Sequence, residues 1–401
     1  MNELLFLNFK LLTLSVFKNV LKDSAIKALL GVFAYSSKSL SESLIYYSNF
    51  LKILFESEFE GDFTKYLNDL IKHDENVFTK NVARGAILNE NIANAAKNEL
   101  AVLSELFLLD TNKIKEILKS QFKDSENIVE LLGNYGTSEK CIGYDELCSY
   151  LKQNCYGAYA KYGAFFYKEG SLNPVKYTDT TTFKDLKDYK TQQETLIKNT
   201  RALMESKGAN NILLYGDRGC GKSSSVKAVY NEFKNQGLKI VQILKQDLCE
   251  LNDLLEKLAK IPAKFIVFID DLSFSQEDEN LSAIKSALEG AISKRSENII
   301  IYATTNRRNI VKETFSSREG NEVHLSDTID ENASLSDRFG ITLTFLAPNK
   351  DKFLEIARKI AQDKNIEIKE DFDKQAERFA LLKASRSPRV AQQFINNYSA
   401  Q

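Results

Sequence analysis

Gly216-Asp217-Arg218-Gly219-Cys220-Gly221-Lys222-Ser223 matches the pattern G-x-x-x-x-G-K-[ST] at every fixed position. The apolar run Asn211–Tyr215 ahead of it reads as a strand, and a helix is expected to start at Lys222. Backbone N–H groups of the loop and the N-terminus of that helix then converge on phosphate oxygens, with the glycines letting the chain close around the anion. Gly216, Asp217, Arg218, Gly219, Cys220, Gly221, Lys222, Ser223 and Ser224 are the candidate phosphate-binding residues. In this pattern Lys222 reaches the β- and γ-phosphates and the Ser223 hydroxyl faces Mg2+. Kinases, GTPases and ATPases share such a loop, so a second element has to choose among them.

That element is Phe265-Ile266-Val267-Phe268-Ile269 running into Asp270-Asp271. Five consecutive apolar residues predict a central strand buried on both faces. Its end delivers Asp270 to the Mg2+ shell and Asp271 to an attacking water. A third element follows Asn298–Ala303, where Thr304-Thr305-Asn306 puts the Asn306 amide at the C-terminal end of a strand, the edge at which open α/β sheets bind ligands. Arg307 and Arg308 come next and read as a solvated pair. Five strand candidates, Asn211–Tyr215, Lys239–Leu244, Phe265–Ile269, Asn298–Ala303 and Ile341–Phe345, alternate with helical stretches, which predicts a parallel sheet with crossovers. Asn349–Tyr398 reads as helical again.

Toward the N-terminus the pattern is different. All four prolines lie beyond residue 173, so nothing in the first two fifths forbids helix continuation. Asn91–Leu109 and Asn112–Phe122 carry apolar residues at three- and four-residue intervals, with N-cap chemistry at Asp110-Thr111-Asn112 between them. Tyr156–Thr182, rich in Gly, Tyr and Thr, reads as a linker. The expected organisation is a helical domain over 1–155, a linker over 156–182, an α/β domain over 183–348 and a helical lid over 349–401.

Composition narrows the setting. The 401 residues carry 54 Lys+Arg against 55 Asp+Glu, a net charge of −1 that gives no global basic field for nucleic acid or membrane. Five cysteines without a C-x-x-C pair point to free thiols in a reducing, cytoplasmic compartment. Cys141, Cys148 and Cys155 recur every seven residues and on one helix would stack on a face. Two histidines, His73 and His324, argue against a His-rich zinc site. Met1–Leu21 is apolar, but Glu3, Lys10 and Lys18 break it short of the roughly 18 residues a transmembrane segment needs, so an amphipathic helix is expected.

Taken together, these residues resemble an AAA+ ATPase module: Walker A at Gly216–Ser223, Walker B at Phe265–Asp271, sensor 1 at Asn306, an arginine finger at Arg338 within Leu335–Gly340, and sensor 2 at Arg389 within Ser387-Pro388-Arg389. Asp270–Phe274, Leu288-Glu289-Gly290, Tyr302–Arg308 and Ser334–Gly340 more particularly resemble the bacterial "domain of unknown function 815" family of ATP-binding proteins, over roughly 183–401. The resemblance implies an α/β P-loop NTPase fold with a five-stranded parallel sheet in the order 5-1-4-3-2 and a C-terminal helical lid. It further implies that Phe183–Thr200 flanks the adenine, that ATP and Mg2+ bind, and that Asp271, Asn306, Arg338 and Arg389 are catalytic. Such modules place the arginine of the finger opposite the bound nucleotide, so Arg338 implies a homo-oligomer, with Lys312–Asp337 crossing the surface before the last strand. One departure concerns rate, because Asp271 stands where most such modules carry Glu.

Three functions stay open on these grounds: an ATPase that remodels an unknown protein partner engaged by the N-terminal helical domain, an ATP-gated adaptor with little turnover, and a small-molecule kinase, which leaves Asn306, Arg338 and Arg389 unexplained. Cys220, beside a helix N-terminus and Lys222, is either a small loop filler or a thiol with a lowered pKa.

Overall fold

The computed structural model describes residues 2–122, 125–272, 279–289, 296–306 and 338–400. The chain divides into two compact units, Met1–Lys161 and Tyr162–Gln401.

Among its described residues the first unit consists of helices, as the proline-free sequence implies: Glu3–Leu12 (α1), Ser24–Tyr35 (α2), Leu40–Glu56 (α3), Phe63–Lys72 (α4), Val77–Ala83 (α5), Glu90–Leu106 (α6), Thr111–Gln121 (α7), Glu126–Glu130 (α8), Tyr144–Asn154 (α9) and Gly157–Lys161 (α10). Most start on a side-chain cap of the expected chemistry. Asp23, Asp62 and Asp110 accept from N–H groups of the first turns of α2, α4 and α7. Fully buried aromatics, among them Tyr47, Phe50, Phe63 and Phe78, fill the core between the helices. The expected N-terminal helix is shorter than its apolar run, for α1 stops at Leu12 and the chain turns. No helix among the described residues is long and apolar enough to cross a membrane. The stacking of three cysteines is also corrected: Cys141 precedes α9, Cys148 lies within it, and Cys155 follows it with φ 76°, a left-handed backbone that breaks the helical register. All five thiols are free.

The second unit is built on one seven-stranded sheet. Its strands are Ala164–Lys168 (β1), Ser171–Pro174 (β2), Ile212–Gly216 (β3), Leu238–Ile243 (β4), Lys264–Ile269 (β5), Ile299–Thr305 (β6) and Ile341–Phe345 (β7), in the spatial order β2-β1-β4-β5-β6-β3-β7. All neighbours run parallel except the β1–β2 hairpin. The expected five-stranded sheet is therefore corrected to seven strands. The additional pair comes from residues expected as linker. Within the larger order, the five strands from Ile212 onward appear as β7-β3-β6-β5-β4, the first-to-fifth sequence 5-1-4-3-2. The hairpin turns on Glu169 and Gly170, both at positive φ, in the two-residue loop that suits right-twisted strands.

Strand character follows placement. β5 and β6, in the middle, are apolar and buried almost throughout, whereas edge strand β7 alternates buried with partly exposed residues. Helices Lys190–Met204 (α11), Lys222–Phe233 (α12), Leu251–Ala259 (α13) and Glu279–Glu289 (α14) accompany the sheet. Three more, Lys350–Asp363 (α15), Phe372–Leu382 (α16) and Pro388–Tyr398 (α17), close on a core of their own that includes Phe353, Ile356, Phe372, Phe394 and Ile395. The surface crossing expected over Lys312–Asp337 lies outside the described residues, as do Arg307, Arg308 and Gly290.

One buried carboxylate ties the first unit's N-terminal turn to its core. Glu99 on α6 accepts from the Ser15 N–H at 2.8 Å, the Ser15 hydroxyl at 2.6 Å, the Val16 N–H at 3.0 Å and the Phe17 N–H at 2.9 Å. Burial pushes its pKa up, but these donors outweigh burial and hold the carboxyl below the usual glutamate range. A carboxyl depressed in the folded state stabilises it above the unfolded value of about 4.3 and loses that contribution as pH falls through the folded value. Glu99→Gln is expected to cost about 2 kcal/mol at neutral pH. Urea unfolding of the full chain measures the loss, hydrogen exchange at residues 14–20 locates it, and the difference from wild type should shrink below about pH 4.

Candidate functional site

β3, β6 and β5 lie side by side and parallel, so their C-terminal ends meet at one edge of the sheet. From β3 the chain enters the glycine loop. Gly216 has φ 139°, and a Cβ there would stand 2.0 Å from the Phe345 carbonyl oxygen, so no other residue fits. Gly219 and Gly221 also take positive φ, and α12 starts directly after them. The loop thus turns its backbone toward the helix N-terminus, the arrangement that binds anions.

Lys222 is 6% exposed, and its ammonium donates to the Gly216 carbonyl, the Asp217 carbonyl and Asn306 Oδ1, each at 2.8 Å. Burial lowers its pKa, because a desolvated cation held by neutral oxygens lacks a full counter-charge in contact. Ser223 Oγ donates to Asp270 Oδ1 at 2.6 Å. Asn306 Nδ2 donates to Asp271 Oδ1 at 2.7 Å, so the amide from β6 bridges Lys222 and Asp271. Asp271 itself is left-handed, with φ 54°.

Thr304, not singled out in the sequence beyond its place at the strand end, joins this network. It is 1% exposed, donates to Asp270 Oδ1 at 2.6 Å and accepts from the Asp271 N–H at 2.9 Å. The only signal available for it was a hydroxyl two residues before Asn306 on a strand next to β5.

A cavity of about 690 Å3 opens over the loop. Arg218 to Ser224, Asp270, Asp271 and Asn306 line it, together with Arg389 and Gln392 of α17. Leu186, Ile356 and Ile360 contribute apolar side chains to its lining, Leu186 coming from the segment expected near the adenine. The lid meets the loop at two points. Asp217 Oδ2 accepts from the Ala347 N–H at 2.7 Å where the chain enters the lid, and the Arg389 N–H donates to the Gly219 carbonyl at 3.2 Å. A Cβ on Gly219 would fall 2.7 Å from Ser387 Oγ.

Arg338 is not gathered into this group. It stands just before β7, whose first residue pairs with Ile212 and whose last pairs with Gly216. A five-residue strand of roughly 16 Å therefore separates it from the phosphate-loop edge.

Cys220 is 1% exposed, with the Tyr189 hydroxyl as partner, and burial pushes its thiol pKa up. The lowered-pKa alternative is thereby corrected: the thiol is sealed beneath the loop, and desolvation opposes the thiolate more strongly than Lys222 favours it.

A glycine loop leading into a helix, acids closing the strand one place removed, an amide on the strand between, and a helical lid over the cavity define an AAA+ type P-loop nucleotide-binding module. The chain belongs to the family described as "Protein of unknown function (DUF815)", whose model matches residues 160–401. It is also similar to the Holliday junction branch migration complex subunit RuvB of Mycoplasmopsis synoviae (strain 53), at 28% identity over 210 residues that cover 51% of this chain and 61% of the relative. The chain thus spans less than two thirds of that curated relative. Among solved structures it is similar to the Thermotoga maritima RuvB Holliday junction branch migration motor, at 15% identity and a TM-score of 0.35, covering 52% of this chain and 61% of that one. A single-residue variant of Thermotoga maritima RuvB gives 16% identity and a TM-score of 0.36, over 54% and 63% of the two chains.

Thiol labelling tests the placement of Cys220. With iodoacetamide at pH 8, exposed Cys249 should label readily and Cys220 at least about tenfold more slowly with or without ATP, as peptide mass spectrometry would show.

Proposed function

We propose that the protein binds ATP with Mg2+ and hydrolyses it, and that the cycle drives a conformational change acting on a protein partner. The observation that carries this reading is the buried Lys222 ammonium, held only by neutral oxygens of the glycine loop and of Asn306. An anion supplied by a β- or γ-phosphate fits that environment.

The metal site fits as well. Ser223 Oγ and Asp270 Oδ1 are two hard oxygen donors 2.6 Å apart, and Mg2+ is usually held by one or two protein oxygens together with phosphates and water. Ser223 and Asp270 would hold it, and when bound it supplies neutralisation of phosphate charge. Asp271 accepts the proton of the attacking water, and Asn306 orients Asp271 and that water. Arg389 reaches the phosphates of its own subunit from the lid. Arg338, at the far sheet edge, serves the site of a neighbouring copy, which makes the active form a homo-oligomer. A guanidinium so placed contributes about 10³–10⁵ in rate. The helical unit over 1–155 engages the partner, and a cytoplasmic setting accords with the free thiols.

A second reading, an ATP-gated adaptor with little turnover, is favoured by Asp271, which is one methylene shorter than the usual Glu and is already engaged by Asn306. The RuvB relative is named for Holliday junction branch migration; the net charge of −1 here supports a protein partner over DNA.

Lys222→Ala is expected to abolish ATP binding, whereas Asp271→Asn keeps it and lowers phosphate release at least about 100-fold. Equal ATP affinity in wild type and Lys222→Ala overturns the assignment. Wild-type binding without phosphate release selects the adaptor. Arg338→Ala should bind ATP normally and hydrolyse it poorly, and mixing it with Lys222→Ala should restore part of the activity, since mixed assemblies contain an intact site facing an intact finger. No recovery, with a monomeric elution in ATP, removes the shared site.

A further inference from the structure

Resting on the ATPase reading, we propose that Thr304 is a positioning residue that locks both acids of the site to the sensor strand, so that Mg2+ affinity and turnover depend on its hydroxyl. Three hydrogen bonds carry the argument. The hydroxyl donates to Asp270 Oδ1 and accepts from the Asp271 N–H, while the Thr304 carbonyl accepts from the Leu272 N–H at 2.6 Å. One residue thus fixes three consecutive residues at the end of β5.

Each bond has a separate effect. Asp270 Oδ1 is approached by Ser223 from α12 and by Thr304 from β6, so its rotamer is set from two sides and does not depend on Ser223 alone. A carboxylate whose orientation survives withdrawal of the Ser223 proton is prepared for a shared cation. The bond to the Asp271 N–H acts on the backbone. Asp271 is held at φ 54°, a left-handed conformation that is unfavourable for a non-glycine residue and persists only where the surroundings over-determine it. In that conformation its carboxylate meets Asn306 Nδ2 at 2.7 Å. The Thr304 side chain is 1% exposed and touches both acids, so water cannot readily replace its hydroxyl.

The test compares Thr304→Val, which keeps the shape and removes the hydroxyl, with Thr304→Ser, which keeps the hydroxyl. Two readouts are taken on the full chain: affinity for a fluorescent ADP with and without Mg2+, and steady-state phosphate release. Thr304→Val should bind ADP without Mg2+ as wild type does, lose most of the Mg2+-dependent tightening, and show a kcat about 10- to 100-fold lower with KM for ATP changed less than about threefold. Thr304→Ser should recover both within about threefold. If Thr304→Val fails to fold, Thr304→Ala takes its place in the same comparison. Wild-type Mg2+ dependence and kcat in the variant lacking the hydroxyl overturn the proposal, as does equal loss in Thr304→Ser. Loss of ADP affinity without Mg2+ also overturns it, because the residue would then serve general packing. A wild type that binds ADP with Mg2+ tightening but releases no phosphate overturns the ATPase reading instead, and the Mg2+ readout still decides on Thr304.

Discussion

A buried ammonium sets the terms for the second unit. Lys222 sits at the first turn of α12 with almost no access to water, and a charge so placed is costly unless its three protons find oxygens. Two of those oxygens are carbonyls of Gly216 and Asp217, which face inward only because Gly216 takes a backbone conformation closed to other residues. The third is the Asn306 amide, which reaches Lys222 only because β6 lies between β3 and β5. Loop conformation, strand order and the identity of the residue ending β6 are thus joined at one nitrogen. Asp270 and Asp271 follow from the same arrangement, since β5 must end beside β6 for Asn306 and Thr304 to reach them.

How much of this was legible in the sequence depended on whether the signal was local. Glycine loop, apolar strand and acid pair are contiguous patterns in which the chemistry and the element that presents it share a few residues. All five expected strands appear within two residues of their expected ends, and the helical N-terminal half follows from apolar spacing without proline. Features that depend on distant chain segments were not legible. Ala164–Pro174 reads as linker because Gly, Tyr and Pro punctuate it, although Phe165 and Tyr167 alternate inward around a Glu-Gly turn and find β4, far along the chain, as a partner. Cys220 has the neighbours that activate thiols, yet it is buried in a core that includes Leu196 and Phe345, with Tyr189 packed against it, and no local window contains these residues. Thr304 becomes visible only when β5 and β6 are seen side by side.

The first unit is stabilised on a different plan. Its helices start on side-chain caps and bury aromatic rings, with Phe50, Phe63 and Tyr135 meeting edge to face at 5.3–5.6 Å. Glu99 closes the turn after α1 with an internal carboxylate, which accepts from three successive backbone N–H groups. The preference of clustered donors for an anion is there satisfied within the chain.

The lid is tied to the body at several places, and the ties differ in what they can transmit. The Ala347 N–H on Asp217 and the Arg389 N–H on Gly219 both end on the glycine loop, whereas the ion pairs of Asp363 with Lys187 and of Lys352 with Asp188 end on the segment ahead of α11. A change in the backbone at residues 217–219 is therefore passed at once to the entrance of the lid and to the start of α17, while α15 stays fastened to residues 187–188. Such a change loads the lid unevenly, at two of its joints and not at the others.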